Sequence, residues 1–292
     1  MSAEIEVGTS IGSAVKTIMR TLRAAGVDAA EVDARFLMQG ILGLDAAAMF
    51  KEPDRVVGGR AGELNKALRR RLAGEPVSRI LGWREFYGRR FAITPDVLDP
   101  RADTETLVDL ALEIVDAKGW REAPIRLADI GTGSGILILT LLAELPSATG
   151  LATDVSGPAL KVARENSRGL GIGDDRMTFA QARGLGGAAG PYHLIVSNPP
   201  YIPAGEIAGL DRGVRDFDPA IALDGGPDGL AIYREIANEI MLLTESTCVA
   251  VEVGARQAYD VTRIFEKNGA RLIGQRTDLG GHTRAVAFEI QR

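Results

Sequence analysis

From residue 126 to the end of the chain, short apolar runs typical of strands alternate with longer amphipathic runs typical of helices. This alternation limits the possible folds more than any other feature, because it predicts a mostly parallel sheet covered by helices on both faces. The last two strand runs have no room for a helix between them and predict an antiparallel pair at the edge. We expect an α/β domain with strands near residues 126–130, 150–154, 177–180, 192–197, 247–253, 271–276 and 284–290, and with helices near residues 136–145, 157–168, 229–243 and 257–268.

The first 100 residues follow other patterns. Residues 1–75 carry apolar side chains at helical spacing and predict a small helical domain for substrate recognition. Its Arg69-Arg70-Arg71 run fits either a solvated helix face or a contact surface for an acidic partner. Residues 76–100 contain two β-type runs, the first from Ile80, joined at Tyr87-Gly88, and predict a β-hairpin connector. Residues 101–292, which open with a predicted helix over 104–118, then form the third domain.

The composition excludes several classes of protein. The 292 residues carry a formal net charge of −5, which makes direct binding to nucleic acid unlikely. No apolar run of about 18 residues predicts a membrane span, and Met1–Glu4 lack a signal-peptide pattern. One cysteine, Cys248, with His193 and His282 at unrelated positions predicts neither a disulfide nor a metal site. We expect a cytoplasmic monomer.

A glycine-rich turn, Asp129-Ile130-Gly131-Thr132-Gly133-Ser134-Gly135, follows the first strand of the predicted sheet and opens a helix. Glycines there permit a tight turn and a close approach of the backbone to a ligand. Asp154 ends the next strand, where a carboxylate can accept hydrogen bonds from both ribose hydroxyls of a nucleoside. The G-x-G-x-G spacing differs from the dinucleotide fingerprint and indicates S-adenosylmethionine rather than NAD.

Asn198-Pro199-Pro200-Tyr201 follows the fourth strand of the predicted sheet directly. The prolines end the strand and hold the residues before them extended. The amide side chain and backbone carbonyls therefore face outward on a rigid segment, residues 198–201, which we call the bracket. Such a bracket suits a planar group that donates two hydrogen bonds, such as a primary amide or an exocyclic amine.

Together these motifs resemble the HemK-type protein-(glutamine-N5) methyltransferases, which modify peptide chain release factors. The resemblance extends over nearly the whole chain and includes residues 75–82, 100–105 and 218–230. It implies the class I methyltransferase fold, with seven mostly parallel strands, and S-adenosylmethionine as the cofactor, which leaves as S-adenosylhomocysteine. It further implies that the helical domain helps to dock the release factor. The implied cofactor-binding residues are Gly131, Thr132, Gly133, Ser134, Gly135 and Asp154, with Asn198 at the methyl group, and the implied substrate-binding residues are Asn198, Pro199, Pro200 and Tyr201.

The resemblance also implies a reaction chemistry, and the chain departs from the family pattern at the expected adenine contact. We expect the side-chain oxygen of Asn198 and the carbonyl of Pro199 to accept the two hydrogens of a glutamine amide, with Tyr201 packed on the amide plane. These three residues are the expected catalytic group. The family usually has an acidic residue and an aromatic one after the third strand, in contact with adenine. Here the matching residues are Ala182 and Arg183, so we expect Arg183 to stack on the base and cofactor affinity to be reduced.

Three other interpretations remain open from the sequence alone. The acceptor could be a glutamine of a ribosomal protein, since the motifs separate these acceptors poorly. Adenine-N6 DNA methyltransferases share an Asn/Asp-Pro-Pro-Tyr motif, although they need a basic DNA-reading domain that this acidic chain lacks. A non-catalytic release-factor-binding protein would fit if the change at Ala182 had removed cofactor binding.

Overall fold

The computed structural model describes residues 4–188 and 190–292. Met1–Ala3, on which part of the signal-peptide expectation rests, and Ala189 lie outside the described residues. The chain divides into two compact units, one ending at Trp83 and the other spanning Arg84–Arg292. The predicted boundary after residue 75 precedes this division, and the division into three domains stays a prediction.

The first unit is helical, as the apolar spacing predicts. Its core joins one face of each longer helix, including Ile18 and Leu22 of the first, Leu37 of the second and Leu64 of the fourth. Hydrogen bonds from backbone N–H groups to the Ser10 hydroxyl and the Asp45 carboxylate cap the first and third helices. The helices are α1 Ile11–Ala24, α2 Ala30–Leu42, α3 Ala46–Lys51, α4 Ala61–Leu72 and α5 Val77–Leu81.

Arginines at the end of α4 bind residues of their own unit. The Arg70 guanidinium forms a bidentate ion pair with Glu75 and donates to the carbonyls of Arg79 and Ile80 at 3.3 and 3.2 Å. Arg71 donates to Asp33 at 2.7 Å. Two of the three arginines therefore support the packing of the helical unit itself.

Helix α5 corrects one expectation. The sequence predicted extended structure from Ile80, but Ile80 and Leu81 continue the helix until Gly82, which ends it with φ of +77°. Hydrogen bonds from Arg70 to carbonyls of this segment favour the helical arrangement over strand propensity. The hairpin begins later, with β1 Trp83–Phe86 and β2 Arg89–Ala92. Its two-residue turn at Tyr87-Gly88, with φ of +50° and +70°, is where the sequence predicted it.

The second unit contains a seven-stranded sheet with the order β5-β4-β3-β6-β7-β9-β8. The pairs from β5 through β7 are parallel, and β9 pairs antiparallel with both β7 and β8. This confirms the predicted fold class, including the antiparallel strands at the end of the chain. The strands are β3 Arg126–Ile130, β4 Thr149–Asp154, β5 Met177–Gln181, β6 Leu194–Ser197, β7 Thr247–Glu252, β8 Arg271–Thr277 and β9 Thr283–Ile290.

Helices cover both faces of this sheet, and two apolar clusters form the core. One cluster joins α6 and α7 to β3 and β7, and the other joins α10 and α11 to the opposite face. Every residue of the strand β7 is buried, as expected for a central strand covered on both sides. The helices of the unit are α6 Glu105–Ala117, α7 Ile136–Glu144, α8 Gly157–Gly169, α9 Arg212–Arg215, α10 Ala231–Ile240 and α11 Ala258–Lys267.

Within the described part of the chain, none of the helices combines the length and apolar character that crossing a membrane requires.

Candidate active site

The candidate site lies at the carboxyl ends of the parallel strands. The chain leaves β3 for β4 on one side and later returns to β6 on the other side, so the strand order reverses between β3 and β6. Ligands of open α/β sheets bind in the crevice outside such a reversal. A cavity of about 830 Å³ occupies this position, and its wall includes Gly131–Ser134, Asp154 and Asn198. The fold therefore brings the two separate sequence motifs to one cavity.

The glycine-rich turn between β3 and α7 needs glycine for its backbone shape. Gly131, Gly133 and Gly135 have φ of +72°, +55° and +81°, values that other L-residues rarely adopt. At Gly135 there is also no space, because a Cβ would lie 2.8 Å from Leu139 Cδ1 and 3.2 Å from the Ala163 Cβ. The turn can thus bring α7 close to α8 while its backbone faces the cavity.

Asp154, at the end of β4, is held by backbone donors. Its Oδ2 accepts a hydrogen bond from Gly133 N at 2.9 Å, and its Oδ1 accepts one from Ser156 N at 2.8 Å. A carboxylate oxygen has more than one acceptor site, so both oxygens keep capacity for a ligand in the cavity. The carboxylate therefore links the glycine-rich turn to the start of α8 and presents acceptor oxygens to the cavity.

Asp129, at the end of β3, is a second carboxyl group in this region. It is 1% exposed, and its Oδ2 accepts a hydrogen bond from the Thr132 hydroxyl at 2.7 Å. Burial raises the pKa of Asp129 to about 7; the Thr132 hydrogen bond lowers it, and the nearby Asp154 charge raises it further. Asp129 braces the turn from inside rather than facing the ligand, since it does not line the cavity formed by the described residues.

Of the four residues after β6, two line the cavity and two do not. Asn198 and Pro200 line the cavity, and Asn198 Nδ2 donates to Thr104 Oγ1 at 3.4 Å. Pro199 is buried and Tyr201 is half-buried, and neither belongs to the cavity wall as the described residues form it. No residue in the described ranges donates a hydrogen bond to the Pro199 carbonyl.

The Tyr201 side chain packs against the apolar cluster under α10 and α11. Its carbonyl accepts a hydrogen bond from Gln257 Nε2 at 2.9 Å, which ties the end of the motif to the loop before α11. Burial and the neighbouring Glu252 raise the pKa of the Tyr201 hydroxyl to about 12, so the phenol is neutral at physiological pH. In this arrangement Tyr201 supports the bracket, and its contact with a substrate amide stays a prediction.

Ala182 and Arg183 both lie in the cavity wall after β5. The Arg183 guanidinium makes two hydrogen bonds to Glu235 on α10, at 2.8 and 2.6 Å, and this pairing raises the pKa of Arg183. The side chains are 69% and 46% exposed, so the pair sits at the rim. The predicted stacking of Arg183 on a base would therefore have to occur with its guanidinium held by Glu235.

Several wall residues were not predicted from sequence. They come from α10 and the segment before it, and include Ile221, Ile232, Glu235 and Glu239. Glu239 accepts a hydrogen bond from Leu185 N at 2.7 Å, and burial raises the pKa of its carboxyl. The four-residue spacing of Glu235 and Glu239 could have shown that they share a helix face, but nothing in the sequence places α10 over the cavity.

Comparison with known proteins identifies the family. A protein of Bradyrhizobium diazoefficiens named release factor glutamine methyltransferase is 42% identical over 285 residues, covering 96% of this chain and 95% of its own. The chain belongs to the release factor glutamine methyltransferase family. A relative of the same name from Rhodospirillum rubrum is 43% identical over 91% of this chain and 80% of its own.

Family profiles and a solved structure agree with this assignment. The profile described as PrmC N-terminal domain matches residues 13–82, and the one described as methyltransferase small domain matches residues 109–209. The structure of the hMettl16 catalytic domain in complex with MAT2A 3'UTR hairpin 6 has 15% identity and a TM-score of 0.55. It covers 78% of this chain and 81% of that chain, and shows the fold alone.

The methyl donor of the release factor glutamine methyltransferase family is S-adenosylmethionine, which confirms the cofactor prediction. The donor set of this site fits that molecule. Asp154 offers acceptors for ribose hydroxyls, and Gly131–Ser134 line the cavity with two glycines, Gly131 and Gly133, that carry no side chain to obstruct a ligand. The described wall is acidic, because Arg183 is paired with Glu235 while Asp154 and Glu239 are not paired with a cation there, and this charge suits a cationic sulfonium.

Proposed function

We propose that this chain transfers the methyl group of S-adenosylmethionine to the side-chain amide nitrogen (N5) of the glutamine in the Gly-Gly-Gln motif of peptide chain release factors. The observation that carries the proposal is the position of the Asn198 amide in the same cavity wall as the glycine-rich turn and Asp154. Family membership and the names of the relatives support it. We expect the reaction to take place in the cytoplasm, with the helical unit contributing to release-factor docking.

The residues after β6 are suited to hold a primary amide. Pro199 and Pro200 lack an N–H group and restrict the backbone, so the Asn198 side chain and the Pro199 carbonyl present acceptors in a fixed relation. Both amide hydrogens of a bound glutamine can be accepted there, which directs the remaining nitrogen lone pair away from the bracket. Because the amide nitrogen becomes more positive as it is alkylated, these same acceptors stabilise the transition state more than the ground state.

Placement is the main demand of this reaction. When bound, S-adenosylmethionine supplies a methyl group on a sulfonium, which needs no further activation. In this proposal Asp154 and the backbone of Gly131–Ser134 fix one reactant, and Asn198, which lies in the same cavity wall, fixes the other. The Pro199 carbonyl, which follows Asn198 directly, supplies the second acceptor. Correct orientation of two bound reactants can lower a barrier by roughly 7–11 kcal/mol in ideal cases. A general base is not required, since the alkylated amide nitrogen loses its proton readily to water.

Methyl transfer to a defined acceptor tests the proposal. Labelled S-adenosylmethionine is incubated with the enzyme and a purified release factor, beside the same factor with the glutamine of Gly-Gly-Gln changed to alanine. We expect label on the unchanged factor only. Label on both factors would place the modification elsewhere, and label on neither, with cofactor binding measured directly, would exclude release factors as the acceptor.

A further inference from the structure

Glu252 ends β7 beside the residue that would hold the substrate amide. In the parallel pairing of β6 with β7, Ser197 lies opposite Val251, so the next residues along the two strands, Asn198 and Glu252, come side by side. Glu252 is only 2% exposed. Its backbone carbonyl accepts a hydrogen bond from the Tyr233 hydroxyl at 2.8 Å, which fixes the strand end beneath α10. A carboxyl group is thus buried directly next to the proposed substrate bracket.

The Glu252 carboxyl has an incomplete set of partners. Within the described ranges its Oε2 accepts no hydrogen bond. The Thr104 hydroxyl and the Asn198 amide are its polar neighbours, and both favour its charged form. Asn198 Nδ2 in turn donates to Thr104 Oγ1 at 3.4 Å, and Thr104 and Asn198 both line the cavity. Amide, hydroxyl and carboxylate therefore form one polar cluster behind the cavity wall.

We infer that Glu252 is a positioning residue that sets which end of the Asn198 amide faces the substrate. An ionised carboxylate only accepts hydrogen bonds, so the NH₂ end of Asn198 is favoured toward Glu252 and Thr104. The Oδ1 end then faces the cavity, where a glutamine amide needs an acceptor. The inference rests on the proposed function, because the orientation matters only if the substrate donates to Asn198.

Protonation of Glu252 would remove this preference. A neutral carboxyl can donate to Oδ1 of Asn198 and stabilise the opposite orientation. Burial raises the pKa of Glu252 to about 7, against the lowering effects of Thr104, Arg284 and Asn198. The other ionisable groups that face it are Asp103, which raises the pKa, and the phenols of Tyr201 and Tyr233. The favoured orientation is therefore present above neutral pH and is lost as the pH falls through 7.

Kinetics of Glu252→Gln test the role. We expect kcat at pH 8 to fall about tenfold or more with the KM for S-adenosylmethionine unchanged, and the decline of wild-type kcat below pH 7 to disappear. Glu252→Asp, which keeps the charge, should recover part of kcat and retain the pH dependence. Glu289→Gln is the matched control, because Glu289 is also a buried carboxylate but lies opposite Cys248, at the other end of β7, paired with Lys118 and Arg271. It should leave kcat per folded molecule and its pH profile unchanged.

A second readout does not depend on methyl transfer. The side-chain NH₂ resonances of Asn198, assigned by their absence from Asn198→Ala, should shift between pH 6 and 8 in the wild-type protein and remain constant in Glu252→Gln. A wild-type kcat and pH profile in Glu252→Gln, or Asn198 resonances that do not titrate, would overturn the inference. Titrating resonances without methylation of any release factor would uphold the positioning of Asn198 and overturn only the proposed acceptor.

Discussion

Asp154 at the end of β4 and Glu252 at the end of β7 are carboxyl groups at the same edge of the sheet, in very different surroundings. Asp154 receives backbone N–H donors on both oxygens and faces the cavity. Glu252 is buried behind the wall, has an oxygen without a hydrogen-bond partner among the described residues, and has a pKa raised to about 7. The first arrangement builds a charged group for direct contact with a ligand. The second arrangement keeps the Glu252 carboxyl away from the cavity, so it can affect a ligand only through Asn198 or Thr104.

The largest expected effect is that of Asn198→Ala, which removes the side chain that lines the cavity in front of Thr104 and Glu252. Loss of one positioned acceptor for a developing charge commonly lowers kcat about 10²- to 10³-fold. Binding of S-adenosylmethionine should stay measurable, since Asp154 and the glycine-rich turn are unchanged. Turnover with saturating substrates and calorimetric cofactor binding give the two quantities. Full activity of the variant would remove Asn198 from the proposed mechanism.

Asp154→Ala should act on the cofactor instead. It would remove the predicted charge-assisted hydrogen bonds to ribose hydroxyls, worth about 1.5–3 kcal/mol each. It also leaves the N–H groups of Gly133 and Ser156 without their acceptor. We expect the Kd for S-adenosylmethionine to rise about 100-fold, with a much smaller change in kcat at saturation. Asp154→Asn, which keeps one acceptor oxygen, should lie between. An unchanged Kd would mean that the ribose is held by other groups.

Glu252→Gln should change stability in a direction set by pH. The folded-state pKa of Glu252 is about 7, above its ordinary value, so its contribution to stability is full in acid and is lost as the pH rises through 7. Relative to the wild type, the free energy of unfolding of the variant should therefore rise by about 2 kcal/mol from pH 5 to pH 8.

Urea unfolding at both pH values measures this change, and Glu289→Gln gives a contrast. Ion pairing with Lys118 and Arg271 lowers the pKa of Glu289 to about 2, so its stabilising contribution is lost only in strong acid. The difference between wild type and Glu289→Gln should consequently be constant from pH 5 to 8. A constant difference for Glu252→Gln as well would show that the Glu252 carboxyl is not destabilised by its burial.

The smallest effect is expected for Ala182→Asp. Ala182 lines the cavity and cannot accept a hydrogen bond through its side chain, whereas Asp could accept one from an exocyclic amine. Affinity for S-adenosylmethionine should increase by less than about tenfold, as for one added hydrogen bond. Ala182→Asn is a neutral control of similar size. No gain in calorimetric affinity would show that this part of the wall does not contact the base.

The sequence predicted the cofactor side of the site better than it predicted the residues that pack behind Asn198. The glycine-rich turn, Asp154 and Asn198 each follow a predicted strand, and parallel strands place their carboxyl ends together, so sequence order alone implied a common edge. The cluster of Asn198 with Thr104 and Glu252 depends on which strands are neighbours. Residues 94 positions apart meet there only because β6 pairs with β7 and the segment before α6 lies over their ends.

The helical unit shows a similar limit on sequence analysis. The long helices follow from apolar spacing, but Ile80 and Leu81, the last two residues of α5, were predicted as the start of a β-type run. In the helical form, the Arg70 guanidinium donates hydrogen bonds to the carbonyls of Arg79 and Ile80, which lie nine and ten residues further along the chain. The apolar pattern of a short segment does not reveal such contacts. Tertiary contacts of this kind override weak propensities in short segments.

The Arg70 contacts also indicate where a fragment that contains only the helical unit should end. A fragment that ended at residue 75 would keep the guanidinium but lose the carbonyls of Arg79 and Ile80 that it binds. It would also expose apolar surface of α2 and α4 on which Val77–Leu81 pack. A fragment that ends at Trp83 retains these contacts. We expect it to fold independently and to resist proteolysis, and we expect a fragment that ends at residue 75 to do neither.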